Sequence, residues 1–189
     1  MNNCRQHDAT DCGAACLAFV LHHYHLNVSL AQLRGKTGTD QWGTTALGLV
    51  EAAESSGLSA KGIRCQIADL GSIALPAIAH LQLEHGRHFV VITAVGRRGY
   101  KIMDPAIGKV VMWTQEHFAR TWSGAVIILA PAANFKPGNR TKSPLLRVCE
   151  LLIPRRLMLL QSFVGIVLDV TPNFRAAFRV SLGQRKDPD

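Results

Sequence analysis

Residues 6–24 read QHDATDCGAACLAFVLHHY, and the reading of this stretch decides how the rest of the chain must fold. Ala14, Ala15, Leu17, Phe19, Val20, Leu21 and Tyr24 recur at helical spacing over a broad face, which predicts a mostly buried helix with Asp11 as its N-cap. Cys12 then falls in the first turn, where unpaired main-chain N–H groups and the helix dipole favour thiolate over thiol. Cys16 lies one turn further in among apolar neighbours and reads as a small core hydrophobe. Gln6 carries a side-chain NH2 that can be aimed at an oxyanion, together with the main-chain N–H of Cys12. A nucleophile and an oxyanion donor are two parts of a thiol hydrolase. The base and its orienting acid must come from elsewhere.

Working outward, the N-terminal MNNCRQHDATDC has no apolar h-region, so no secretory signal is read and a reducing, cytosolic compartment is expected. The five cysteines are odd in number and contain no CxxC pair, which argues against a disulfide framework or a zinc knuckle. Downstream, Asn27-Val28-Ser29 reads as a turn and cap for a short helix from Leu30 to about Arg34, ended by Gly35. Gly43-Thr44-Thr45 caps a third helix, Ala46 to Ser56, with Leu47, Leu49, Val50 and Ala53 on one face and Gly57 as its stop.

After Gly57 the period becomes strand-like. Strands are expected at Ser59–Arg64, Ala77–Leu83, His88–Val95, Tyr100–Met103, Lys109–Trp113 and Ala125–Ala130, with a short helix at Gln115–Thr121. His85-Gly86 and Gly96–Gly99 are turn signals that make consecutive strands antiparallel hairpins. Helices first and an antiparallel sheet second is an α+β layout. There is no internal repeat.

The charge is uneven. Residues 1–135 carry 11 basic and 9 acidic side chains, hence +2, whereas 136–189 carry 10 and 4, hence +6. A domain over 1–133 is therefore expected, a linker over 134–143, and a basic apolar tail over 144–189. The run Leu157–Leu168 is 12 residues long, short of the roughly 20 that span a bilayer. Basic charge beside apolar segments fits anionic lipid headgroups, so contact between this tail and an anionic membrane is expected. No aromatic-basic interleaving accompanies the charge, and nucleic-acid binding is not expected.

Among the histidines, His22, His23 and His25 cluster, but neighbouring helix positions point apart and no carboxylate sits at ligand spacing. No metal and no cofactor is therefore called for. His80 and His85 read as structural. His88 opens the apolar strand HFVVITAV at an edge after a glycine turn, which holds its ring on a rigid element while leaving it able to reach a cleft. The next strand ends in Asp104-Pro105. Asp104 is by itself a turn-former, yet on an adjacent antiparallel strand it can accept the imidazole N–H and fix its tautomer, provided the register puts both on one face.

Gln6, Asp11-Cys12-Gly13-Ala14-Ala15-Cys16-Leu17, Gly43-Thr44-Thr45, His88-Phe89-Val90-Val91, Asp104-Pro105 and Trp122-Ser123-Gly124, in that order, resemble the C39 peptidases. These are papain-like cysteine peptidase domains at the N-terminus of bacterial bacteriocin- and peptide-exporting ABC transporters. The resemblance covers about residues 4–133. It implies Cys12 as nucleophile, His88 as base and acid, Asp104 as orienter and Gln6 as oxyanion donor. It also implies a precursor peptide cut after a Gly-Gly leader on the cytoplasmic side of the inner membrane, or in the cytoplasm, and coupled to export. Pro144–Leu168 resembles the approach to the exporter's first membrane helix, without completing it, and no further membrane segment or nucleotide-binding domain is read; the expectation is either a stand-alone peptidase, with the transporter parts supplied separately, or a truncated exporter. Two other functions compete: a domain that recognises a secretion substrate without cutting it, and a papain-like acyl transferase.

Overall fold

A computed structural model describes residues 5–6, 8–84 and 86–141. His7, His85, Cys4, Cys149 and the tail 144–189 lie outside the described residues. In chain order the elements are α1 (Cys12–His23), β1 (Leu26–Asn27), α2 (Leu30–Thr37), α3 (Ala46–Ser55), β2 (Leu58–Arg64), β3 (Ala77–Leu83), β4 (Gly86–Gly96), β5 (Gly99–Asp104), β6 (Lys109–Trp113), α4 (Gln115–Thr121), β7 (Trp122–Pro131) and β8 (Gly138–Asn139). The architecture is α+β, with N-terminal helices on an antiparallel sheet.

α1 is apolar all round, and nine of its 12 residues are buried, the signature of a central helix. Its start differs from expectation. Asp11 has helical backbone angles at the end of a single 3₁₀ turn, and its side chain caps nothing. The carboxylate is instead fully buried against Arg34, with Nε 3.0 Å from Oδ1 and Nη1 donating to Oδ2 at 3.4 Å. The guanidinium is 40% exposed, but its removal strands the buried carboxylate. Arg34→Met is therefore expected to destabilise the domain by about 3 kcal/mol, read as a fall in Tm of about 10 °C; an unchanged Tm would deny the pair this role.

α2 runs through Gly35 and stops at Gly38, whose φ of 61° forms the left-handed C-cap; Ser29 and Gln32 make a capping box at its start. α3 begins at Thr45, whose hydroxyl accepts the Gly48 N–H at 3.0 Å. It buries Leu49, Ala52 and Ala53 but leaves Leu47 67% exposed, so its inward face is rotated from the one expected.

The six-stranded sheet has the order β2-β7-β3-β4-β5-β6, every pair antiparallel. The hairpins supply the run from β3 to β6, and the last long strand slots between β2 and β3. One face, with Ile78, Phe89, Val91 and Met103, packs on Leu17 and its neighbours in α1. The other, with Leu81, Val90, Ile92 and Ile102, packs on Phe118 of α4. The stretch expected as a linker lies on the domain as far as Thr141. Phe135 meets Tyr24 edge-on at 6.3 Å, and Gly138 and Asn139 pair in parallel with Leu26 and Asn27. Among the described residues no helix is long and apolar enough to cross a membrane.

Candidate active site

Cys12 is the first residue of α1 and is only 5% exposed. It opens on a cleft of about 450 Å³ whose walls include Thr10 and the loop 40–46 on one side and His80, Arg87 and Phe89 on the other. The helix start is fitted against that loop. A Cβ added at Gly13 would lie 2.7 Å from Thr44 Cβ, closer than such atoms approach. Thr44 is fixed in turn: its hydroxyl pairs with Thr39 at 2.6 Å, Thr39 with Thr37 at 2.8 Å, and Thr37 donates to Leu33 O at 2.9 Å. The sequence segments around Cys12 and Thr44 are thus one packing unit. Gly13→Ala is expected to push Cys12 off its position and lower kcat/KM by about 10²-fold, since small misplacements of reacting groups cost that much. Adding Thr44→Gly should restore most of the activity; no rescue would show that the defect lies elsewhere.

His88 and Asp104 come together as the register requires. Val91 pairs with Met103, so one further step places Asp104 opposite Val90, two residues from His88 and on the same side of the pleat. His88 Nε2 lies 2.9 Å from Asp104 Oδ1. The ladder between β4 and β5 ends at Val91–Met103. His88 therefore stands beyond the end of β5, at an open corner of the sheet, close enough to Cys12 for the two side chains to act on each other. With Nε2 occupied by Asp104, Nδ1 is the nitrogen left for the thiol. Asp104 is a turn-former as well, for the same Oδ1 accepts the Ala106 N–H at 2.9 Å.

Burial opposes a charge on His88, but the hydrogen bond and charge of Asp104, together with the neighbouring Cys12, outweigh it, and its pKa is raised to about 9. Burial likewise pushes the Asp104 carboxyl up, and the His88 hydrogen bond, the Ala106 N–H and the imidazolium charge bring it below the usual carboxylate range. The pair is built to hold an imidazolium beside Cys12 at neutral pH.

Gln6 is brought to the same corner by its main chain. Its N–H donates to Pro105 O at 3.0 Å, and the stem of Arg5 lies against Gly108, whose φ is 67°. The side-chain Oε1 of Gln6 is buried without a hydrogen-bond partner. Cys16 is fully buried in the core. His80, read from sequence as structural, has Nδ1 2.7 Å from Ser123 Oγ and stacks edge-on to Phe89 at 5.2 Å, yet it also lines the cleft. Burial, then the charges of Arg87 and Arg64, lower its pKa. Arg64 reaches the cleft because β7 lies between β2 and β3, and His80 and Arg87 reach it on the β3–β4 hairpin; a single strand's pattern shows neither. Among the described residues no group of three or more metal-ligating side chains occurs; His22 Nδ1 is 2.8 Å from Asn27 Oδ1.

Residues 1–134 match the Peptidase C39 family. The chain belongs to that family. It is 36% identical to a double glycine motif protease from an AMS/PCAT transporter, solved in complex with the leader peptide, with a TM-score of 0.63 over 68% of this chain and 89% of that one. The peptidase domain of Streptococcus ComA is also 36% identical, with a TM-score of 0.63 over 67% of this chain and 96% of that one. Among curated proteins, the transport/processing ATP-binding protein ComA of Streptococcus pneumoniae is 35% identical over 156 residues, 80% of this chain and 22% of ComA. The lactococcin-G-processing and transport ATP-binding protein LagD of Lactococcus lactis is 33% identical over 165 residues, 86% of this chain and 23% of LagD. The chain thus spans about a fifth of the length of the curated relatives it matches. Its C39 domain is a cysteine-peptidase domain of the α+β, papain-like class.

Proposed function

We propose that this C39 domain cuts precursor peptides after a Gly-Gly leader, with Cys12 as nucleophile, His88 as acid and base, Asp104 as orienter and Gln6 as oxyanion donor. The single observation that carries the reading is the 2.9 Å pair of His88 and Asp104, placed so that the same imidazole meets Cys12 at the start of α1. The Cys12 thiolate attacks the carbonyl carbon of the second glycine, and the C=O electron pair moves onto oxygen. The Gln6 amide NH2 and the Cys12 main-chain N–H receive that oxyanion. Collapse expels the amine, which takes its proton from His88, and leaves a thioester. Neutral His88 then draws a proton from water, whose oxygen displaces the thiolate and releases the leader as a carboxylate. Asp104 holds the ring in one orientation through both steps.

The low exposure of Cys12, at 5%, gives a physical reason for the glycines. A peptide main chain must approach closely to present its carbonyl to a recessed thiol, and residues without side chains allow that approach. Coupling to export, through transporter membrane and nucleotide-binding domains at the cytoplasmic face, belongs to the same reading. Its support is the likeness to ComA and LagD, which are transport and processing proteins. The test compares Gly-Gly precursors with Gly-Val ones and reads the cut by mass spectrometry. Cleavage after Gly-Gly and loss with Gly-Val are expected; equal cleavage of both would contradict the recessed-thiol argument, and no cleavage of either would contradict the reading itself.

A further inference from the structure

We infer that Arg64 and Arg87 form a subsite for a carboxylate side chain of the peptide that occupies the Cys12 cleft. The inference rests on the peptidase reading above and adds what that site selects. Four strands build the cleft floor in register: Arg64 of β2 pairs with Ala125 of β7, and His80 of β3 pairs with Phe89 of β4. Arg87 lies two residues from Phe89 and so shares its face. Both arginines border the cleft that Cys12 opens on, and both stand near enough to His80 for their charge to act on it.

These guanidinium groups are exposed, and among the described residues neither has an acidic partner; the ion pairs there are Arg34–Asp11, His88–Asp104 and Arg120–Glu116. Asp40 is the acidic residue that lines the cleft, and its Oδ1 is engaged in its own loop by the Trp42 N–H at 2.8 Å. His80 adds no competing negative charge. Two unpaired forks on one floor therefore wait for an acceptor, and a carboxylate is the group in a peptide that a guanidinium binds in bidentate fashion. The carboxylate can come from the leader side or from the mature side of the scissile bond.

The experiment places Glu, Gln or Lys singly at each of the positions flanking Gly-Gly in a precursor peptide. Cleavage of every peptide is measured with the wild-type chain and with the Arg64→Glu/Arg87→Glu variant. Binding of the same peptides to Cys12→Ala protein, with and without the two arginine changes, is followed by fluorescence anisotropy. At one position or more, Glu should lower KM by about tenfold relative to Gln, with Lys worse than Gln and kcat unchanged. The arginine variant should reverse the order. The side on which the preference appears identifies the source of the carboxylate. Equal KM and equal binding for Glu, Gln and Lys peptides at every position would overturn the inference, as would a Glu preference that survives in the variant. Absent cleavage with a retained Glu preference in binding would instead overturn the peptidase reading and leave the subsite standing.

Discussion

Cys12→Ala is expected to lower kcat/KM for leader cleavage by at least about 10⁴-fold, while the fold and its Tm are retained. The substitution removes one sulfur from a recessed position on the cleft wall, so little packing is lost. Cys16→Ala provides the contrast. Its side chain is fully buried one turn along the same helix, so it should cost about 1 kcal/mol of stability through the small cavity it leaves and keep activity within about tenfold. Steady-state cleavage with thermal melts on both variants checks the pair. Full activity in Cys12→Ala, or loss in a folded Cys16→Ala, would reassign the nucleophile.

Asp104→Asn should move the alkaline limb of the pH profile. With the wild-type chain, kcat/KM should fall as pH rises through about 9, where His88 loses the proton that the leaving amine needs. Asp104 raises that value through its hydrogen bond and charge, so the variant's limb should shift down from about 9 toward the ordinary 6.5. At pH 8 the loss should be roughly 10- to 10²-fold. Stability follows the same sign. A raised folded-state pKa contributes stability that is complete below about 6.5 and is lost as pH rises through about 9. The wild-type Tm should therefore decline across that window more than the variant's. Coincident limbs in the two proteins would remove Asp104 from the orienting role.

Much of the site was legible because its parts lie on elements with clear local periods. The helix at Cys12 announces itself by an all-apolar face, and the strands carrying His88 and Asp104 are joined by a turn so short that their pairing is forced. The diagonal relation of residues 88 and 104 was not readable, because a one-residue change of register would have put them on opposite faces. Other features needed contacts far apart in sequence. Asp11 looks like an N-cap, and the charge of Arg34, 23 residues away, claims it instead. Gly35 looks like a helix stop, but the left-handed backbone sits at Gly38. His80 looked structural from its strand alone. Its place in the cleft follows from its pairing with Phe89 on the neighbouring strand and from the loop 40–46 that faces them, which no pattern within its own strand encodes.

Affinity labelling tests the central claim most directly: a leader peptide ending in Gly-Gly chloromethyl ketone is incubated with the chain, and the modified residue is mapped by mass spectrometry. A single adduct on Cys12, with matching loss of cleavage and protection by uncut precursor, is the predicted result. Modification of Cys16 or Cys65 in its place, or intact activity after complete labelling of Cys12, would contradict it.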